Sequence, residues 1–142
     1  MIKVIPYESK FIGAAIKIWN EVVRDGIAFP QEDELDEITG DEFFKAQSFT
    51  GLAFDEDNGE ILALYILHPN NVGRCGHISN ASYAVRSDVR GRHIGEIIVK
   101  DCILNRNFAK HLVLEGCLAV FGHLLADYVR HSCLQLFFDF FL

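Results

Sequence analysis

The chain has 142 residues, half of them hydrophobic, which is the size and composition of one ordinary domain with a buried core. Its formal net charge of −7 argues against the broad basic surface that nucleic-acid binding requires, and an acidic protein more readily attracts a cationic partner such as an amine. The N-terminus lacks the apolar core of a signal peptide and no window is apolar enough to span a bilayer, so we expect a cytoplasmic protein without a membrane partner.

The first part of the chain predicts a short strand followed by an amphipathic helix. The segment from Ile2 to Ile5 favours a strand that ends at Pro6. Apolar residues then recur at intervals of three and four, as on one face of a helix: Phe11, Ala14, Ala15, Ile18, Trp19 and Val22. Gly26 and Pro30 end that pattern, and the acidic segment 32–42 predicts a solvated helix or two short helical turns.

Two strands around a tight turn are predicted in the middle of the chain. Segments 48–54 and 61–67 have the composition of strands, and Asn58-Gly59 between them is a strong hairpin signal. The acidic residues of this turn lack the ligand spacing of a calcium loop, and the four cysteines form no Cys-x-x-Cys pair. We therefore expect no metal site. The segment 68–74 predicts a loop by composition.

The most informative segment leads from a strand, His77 to Val85, through a basic and glycine-rich loop into a helix. The loop reads Arg90-Gly91-Arg92-His93-Ile94-Gly95, and the apolar spacing after it predicts a mostly buried helix. A helix N-terminus carries unpaired N–H groups and a partial positive charge, glycine allows close approach, and arginine adds charged donors. This order predicts a site for a phosphate-bearing ligand. Together the elements predict an α+β fold of mixed α/β type, in a single domain that covers 1–142.

The loop resembles the pyrophosphate loop of the GCN5-related N-acetyltransferases, whose pattern is Arg or Gln, two residues, Gly, one residue, then Gly or Ala. The upstream order of strand, helices, hairpin and strand is that family's order, and its small members share a stretch represented here by Asn20, Gly26, Phe29 and Pro30. The resemblance covers residues 1–110. It implies a central, mostly antiparallel twisted sheet flanked by helices, with incomplete or altered C-terminal strands.

The resemblance implies acetyl-coenzyme A as the acetyl donor and a small amine or amino-acid-like molecule as the acceptor, with direct transfer between them. In the family the pantetheine arm pairs with the fourth strand and the pyrophosphate rests on the loop. The cofactor-binding residues that this implies are Ala84, Val85, Arg90, Gly91, Arg92, His93, Ile94 and Gly95. His93 stands where the family usually has glycine. If the glycine is needed for a positive φ, histidine is sterically strained there; if it is needed only for close approach, the backbone N–H survives and the imidazole must swing aside. We expect weakened phosphate binding and an imidazole that points to solvent, with direct contact to a phosphate as the alternative.

Candidate catalytic groups also come from the resemblance. The family often places a general base or a water-relaying polar group on its fourth strand, where Asn80 is the candidate catalytic residue, and Tyr128 is the candidate acid for the leaving thiolate. Glu32 is a candidate to recruit the amine or relay its proton, with a surface carboxylate as the alternative interpretation. His77 is a further candidate base, with a structural or exposed role as its alternative. Because a strand alternates its faces, Asn80, Ser82 and Ala84 share one side while Ser79, Ala81 and Tyr83 share the other.

The segment 111–142 departs from the family pattern, because the asparagine of the family's late helix is missing and the tail is short and apolar. Three explanations remain open: divergence, a changed reading frame near residue 105, or a tail remade for partner contact. An apolar tail must be buried in the sheet or in a partner, so we expect a homodimer that shares it. The alternative to an active enzyme is a catalytically impaired relative that acts through cofactor binding or assembly.

Overall fold

The computed structural model describes residues 1–69 and 79–104. The helices and strands of these ranges are β1 (Ile2–Pro6), α1 (Ile12–Asp25), α2 (Glu37–Ala46), β2 (Phe49–Asp55), β3 (Glu60–Pro69), β4 (Ser79–Val85) and α3 (Ile94–Leu104). None of these helices has the length and apolar character needed to cross a membrane. The expectations for His77, Tyr128 and the tail 111–142 fall outside the described residues.

The four strands form one antiparallel sheet in the order β1-β2-β3-β4. One row of side chains crosses the whole sheet, because Ile5 lies opposite Leu52, Leu52 opposite Leu64, and Leu64 opposite Ala84. All four belong to the hydrophobic core under α1 and α2. The predicted mixed α/β fold with a mostly antiparallel sheet is therefore confirmed for this part of the chain.

Helices cover both faces of the sheet, which explains why β3 is apolar on both sides. Leu64 and Ile66 belong to the core beneath α1 and α2, whereas Leu62, Tyr65 and Leu67 belong to the core beneath α3. Every residue of β3 from 61 to 67 is buried. The continuous apolar run in the sequence thus reflects a central strand that packs helices on each face.

The loop between the first two helices is irregular where the sequence predicted helical turns. The side chain of Asn20 on α1 donates from Nδ2 to the carbonyl of Leu35 at 2.8 Å, and its Oδ1 accepts the Leu35 N–H at 2.9 Å. Both backbone groups of Leu35 are occupied in this way, so they are not available to a helix. The prediction of helix over the acidic segment 32–42 is wrong before Glu37, where α2 begins.

The strand β3 is longer than predicted and includes two residues that were assigned to a loop. His68 lies opposite Asn80, and Pro69 lies opposite Ser79. Proline is compatible with the end of a strand, where its missing N–H interrupts little pairing. The strand therefore carries His68 onto the sheet, and the loop prediction is wrong at these two positions.

Candidate functional site

The backbone between β4 and α3 suits a phosphate group. A short 3₁₀ turn, Ser87–Val89, follows β4, and α3 begins at Ile94. Gly91 has φ = 81° and His93 has φ = 60°, both in the left-handed region. The two residues with positive φ lead the chain into the first turn of α3, where the backbone N–H groups have no acceptor within the helix. Backbone donors at a helix N-terminus favour an anion.

His93 adopts the backbone conformation that its position requires, although it is not glycine. Its side chain is 83% exposed, and Nδ1 lies 3.6 Å from Oε2 of Glu96. The expected steric cost of a positive φ is therefore present, and the imidazole lies in solvent as expected.

Arg90 is held by the end of the first helix. Its Nη2 lies 3.6 Å from Oδ2 of Asp25, and both side chains are about half exposed. Such a surface pair is weak and is screened by salt, so it leaves the guanidinium available to a stronger anion. Arg92 is exposed, and its backbone N–H donates to the carbonyl of Val89 at 3.4 Å.

The backbone of β4 is open along one edge within the described ranges, where it pairs with β3 alone. The Arg86 N–H donates to the Leu62 carbonyl at 3.0 Å, which fixes the alternation of hydrogen bonds. The backbone groups of Ala84 therefore point to β3, while those of Tyr83 and Val85 point to the open edge. An extended ligand can pair with such an edge as an added strand would.

This alternation changes the candidates for backbone contact with a ligand. Val85 offers its N–H and carbonyl to the edge, as predicted. Ala84 is fully buried and its backbone N–H and carbonyl face β3, so they are not available to a ligand at the open edge. Tyr83 was not among the predicted binding residues, yet its backbone faces the edge. The N–H of Ala81 also points there, but Oδ1 of Asn80 accepts it at 2.9 Å.

A cavity of about 290 Å³ lies on the face of the sheet that α1 and α2 cover. Its apolar wall is formed by Trp19, Phe29, Phe43 and Ile66. The rings of Trp19 and Phe29 stack with centroids 4.2 Å apart and planes 25° apart. This volume lies just below the usual range of about 300–1,000 Å³ for ligand sites.

Polar groups occupy the rim of the cavity and the side nearest β4: Gln31, Gln47, His68 and Ser82. Oε1 of Gln31 accepts the indole N–H of Trp19 at 3.0 Å, and Nε2 of Gln47 donates to the Phe43 carbonyl at 2.8 Å. Nδ1 of His68 lies 2.9 Å from the carbonyl of Pro69. Since a carbonyl can only accept, Nδ1 carries the hydrogen in that bond, and the Nε2 of a neutral ring is then an acceptor.

The structure decides which face of β4 meets this cavity. Ser82 lines it, and Asn80 and Ala84 share its side of the strand. Tyr83 instead packs beneath α3, where burial and the neighbouring Cys102 raise the pKa of its phenol above the ordinary value. Burial likewise raises the pKa of the Cys102 thiol to about 11, so that neither group ionises near neutral pH.

The predicted catalytic residues are not brought together. Asn80 lies on the cavity side of β4, but its side-chain oxygen is used by the Ala81 N–H. Glu32 is exposed on the loop after Gln31 and is not among the residues that line the cavity. Tyr128 lies outside the described residues, so its role stays a prediction.

Sequence reasoning missed the residues that line the cavity with polar groups. His68 was assigned to a loop, although it continues the alternation of Leu64 and Ile66 on one face of β3. That alternation was the available signal. Gln31 and Gln47 carried no comparable signal, because only the packing of the loop and α2 against Trp19 and Phe43 brings them to the same place.

Comparison with protein families finds a match of residues 15–127 to the acetyltransferase (GNAT) family. The structure is similar to a GCN5-related N-acetyltransferase from Kribbella flavida, with 26% identity, a TM-score of 0.63, and coverage of 72% of this chain and 62% of that chain. An N-acetyltransferase from Staphylococcus aureus Mu50 gives 13% identity and a TM-score of 0.67, with 73% and 65% coverage.

A phosphinothricin acetyltransferase from Sinorhizobium meliloti, whose structure is a complex with acetyl-CoA, is also similar. It gives 16% identity and a TM-score of 0.64, with coverage of 70% of this chain and 56% of that chain. This chain spans less than two thirds of the length of each of these three relatives. The comparison with curated protein sequences gives no match.

Proposed function

Since the chain belongs to the GNAT acetyltransferase family, we propose that it is an N-acetyltransferase, which transfers the acetyl group of acetyl-coenzyme A directly to a small amine or amino-acid-like acceptor. The observation that carries this proposal is the continuity of an open strand edge, a loop with two positive φ angles and a helix N-terminus. Coenzyme A carries an extended pantetheine arm followed by a diphosphate. The open strand edge suits the arm, and the loop and helix N-terminus that follow it suit the diphosphate.

The residues present fit coenzyme A. Outward backbone groups of Tyr83 and Val85 match the amides of an extended pantetheine arm. Gly91 has open space around its Cα, since a Cβ built there meets nothing within 4 Å. The start of α3 supplies donors for the pyrophosphate, and Arg90 and Arg92 supply charge beside it.

Bound acetyl-coenzyme A supplies an acetyl group that is activated as a thioester. The chain's own residues have the remaining tasks: they hold the acceptor against the edge of β4, remove a proton from its ammonium and exclude water. We propose that Arg90, Gly91, Arg92, His93, Ile94 and Gly95 bind the phosphates, with Ala84 and Val85 next to the arm.

The predicted catalytic residues enter as parts of this proposal. Asn80 lies on the strand beside the cavity and retains an amide nitrogen that can orient a water molecule or the acceptor. Glu32 is exposed near the cavity, where its charge favours the approach of an ammonium ion. Tyr128 is proposed as the acid that protonates the leaving thiolate.

Calorimetry with acetyl-coenzyme A tests the proposal first. We expect a saturable heat of binding, and its absence at millimolar ligand would overturn the proposal. The release of free thiol in the presence of a panel of small amines then tests transfer. Binding without any thiol release above the spontaneous rate would leave the catalytically impaired relative as the correct interpretation.

We also propose a cytoplasmic homodimer that shares the segment 111–142. The apolar composition of this segment supports the proposal, since such a surface is stable only when covered. Sedimentation equilibrium of the full chain tests it. A single species with the monomer mass across the concentration range contradicts the dimer.

A further inference from the structure

The described polar groups at the cavity are better suited to a ligand group that donates hydrogen bonds, such as an ammonium, than to a carboxylate. Nε2 of a neutral His68 and Oε1 of Gln47 are acceptors, and no hydrogen-bond partner for either is present within residues 1–69 and 79–104. Ser82 can accept or donate. No lysine or arginine lines the cavity in these ranges. An ammonium group matches such a lining, whereas a carboxylate would find neutral donors such as the Ser82 hydroxyl but no cationic side chain within these ranges.

The apolar part of the cavity favours a ligand whose apolar portion is flat. Trp19 and Phe29 form one stacked wall, and Phe43 meets Trp19 at a centroid distance of 5.2 Å and an angle of 55°. Rings that face a wall of this kind gain from stacked or tilted contacts beyond the area that they bury. The volume of about 290 Å³ suits a small molecule rather than a folded partner.

The charge outside the cavity agrees with a cationic ligand. Glu32, Asp33 and Glu34 follow Gln31 along the loop, and the chain as a whole carries a net charge of −7. Glu34 is paired with Arg24 at 2.8 Å, while the exposed carboxylate of Glu32 lies closest in sequence to the cavity. These charges raise the local concentration of amines and repel acids.

His68 is placed to remove the proton that the amine must lose. It lies on β3 diagonally across from Ser82 on β4, because Ile66 lies opposite Ser82 and His68 opposite Asn80. The bond from Nδ1 to the Pro69 carbonyl fixes the ring tautomer that leaves Nε2 ready to accept. The other described side chains that line the cavity carry no formal charge.

We propose that the cavity binds a small primary amine with a planar apolar body and no carboxylate, and that Nε2 of His68 accepts the ammonium proton. The inference rests on the proposed acetyl transfer. The amine nitrogen forms a bond to the acetyl carbon, the carbon–sulfur bond breaks, and its electron pair leaves with the sulfur. The nitrogen loses two protons in all. His68 takes the first, which frees the lone pair for attack, and passes it to water; the second, lost as the amide forms, balances the proton that the thiolate gains.

The binding part is tested without any acetyl donor. Trp19 is the only tryptophan in the chain and forms the cavity wall, so its fluorescence reports the occupant directly. We expect 2-phenylethylamine to change the emission saturably, and phenylalanine, with the same ring and an added carboxylate, to bind roughly tenfold more weakly or worse. Equal affinity for the two, or no saturable change with the amine, overturns the proposed acceptor class.

Two variants examine the apolar wall. Phe29→Ala removes the ring that stacks on Trp19, whereas Ile27→Ala removes an apolar side chain of the same loop that is 81% exposed. We expect the Phe29 variant to weaken amine binding by roughly tenfold and the Ile27 variant to leave it unchanged. Equal effects of the two substitutions contradict the proposed wall.

The catalytic part is tested by the pH profile of kcat/KM. His68→Gln keeps a polar side chain but cannot accept the proton at neutral pH. We expect kcat/KM to fall by about 100-fold or more and its pH profile to change shape relative to the wild type. A variant that keeps the wild-type rate and the wild-type profile overturns the role of His68.

The outcomes separate the two proposals. If acetyl-coenzyme A gives no heat of binding, the acetyltransferase function itself is wrong. If the donor binds and amines are acetylated while His68→Gln and Phe29→Ala behave as wild type, only this inference is wrong.

Discussion

Gly51 on β2 lies directly opposite Tyr65 on β3, and the ring of Tyr65 fills the space that a side chain on Gly51 would need. A Cβ built on Gly51 would stand 2.4 Å from Cε1 and 2.8 Å from Cζ of that ring. The ring cannot easily move away, because it is fully buried and its hydroxyl donates to Oδ2 of Asp101 on α3 at 2.7 Å. The contact therefore links β2, β3 and α3, the helix that follows the loop predicted to bind phosphate.

Gly51→Ala should destabilise the fold by about 1–3 kcal/mol, because the added methyl group overpacks a site whose neighbour is fixed by a buried hydrogen bond. Gly13→Ala is the matched control, since nothing lies within 4 Å of a Cβ at Gly13 and the residue is in α1. The control should be stabilising by up to about 1 kcal/mol. Urea unfolding measures both, and a neutral Gly51 variant would show that the ring can shift.

His93→Gly should be more stable than His93→Ala by about 1 kcal/mol. At φ = 60° an alanine keeps the steric cost of the left-handed region, while glycine does not. The exposed imidazole contributes little else, because its contact with Glu96 is a solvent-exposed pair at 3.6 Å. Thermal unfolding of the two variants measures the difference. Equal stability would mean that the loop changes its backbone conformation when the imidazole is removed.

Gly91→Ala should weaken the binding of coenzyme A as well as lowering stability. Gly91 has a φ of +81° and open space around its Cα, so an added methyl group meets no neighbouring atom. The energetic cost of alanine therefore comes from the left-handed backbone conformation, and the loop can relieve it by changing its shape. Gly59→Ala is the matched control, because Gly59 has φ = +74° and open space but lies in the turn between β2 and β3.

Both glycine variants should lose about 1–2 kcal/mol of stability. Only the Gly91 variant should lose affinity in calorimetry with coenzyme A, by roughly tenfold. If the Gly59 variant loses affinity to the same extent, the loss reflects general destabilisation and not the loop.

Asp36 should make the stability of the protein depend on pH below neutrality. Its carboxylate caps α2 by accepting the N–H groups of Ile38 and Thr39 at 2.9 and 2.7 Å, and the bonds from Thr39 lower its pKa. A lowered folded-state pKa means that the stabilisation is present above the unfolded pKa and is lost as the pH falls through the folded pKa.

Asp36→Ala should therefore be less stable than the wild type near pH 7, and the deficit should shrink towards about pH 3. Asp36→Asn keeps a capping oxygen without the charge, so its deficit should be smaller and less dependent on pH. Urea unfolding across this pH range measures the three proteins. A deficit of Asp36→Ala that is constant with pH would show that the charge adds nothing to the cap.

Elements that depend on neighbours in the sequence were predicted correctly, whereas a segment fixed by a long-range contact was not. The order of strands and helices, the hairpin and the start of α3 followed from periodicity and from Asn58-Gly59, because each depends on neighbours in the sequence. The acidic segment was misjudged since Asn20, fifteen residues away, takes both backbone groups of Leu35. A contact at that separation leaves no trace in a local pattern.

The sequence by itself determined the family, whose pattern extends over residues 15–127, and it predicted a phosphate-binding loop at 90–95 from the spacing and residue types of a short segment. Only the tertiary structure decided which face of β4 meets the cavity, that Tyr83 and Val85 rather than Ala84 present backbone groups to the edge, and that His68 stands on the sheet. These facts depend on register and on the side of the sheet that α1 covers. A shift of one residue in the pairing would reverse each of them.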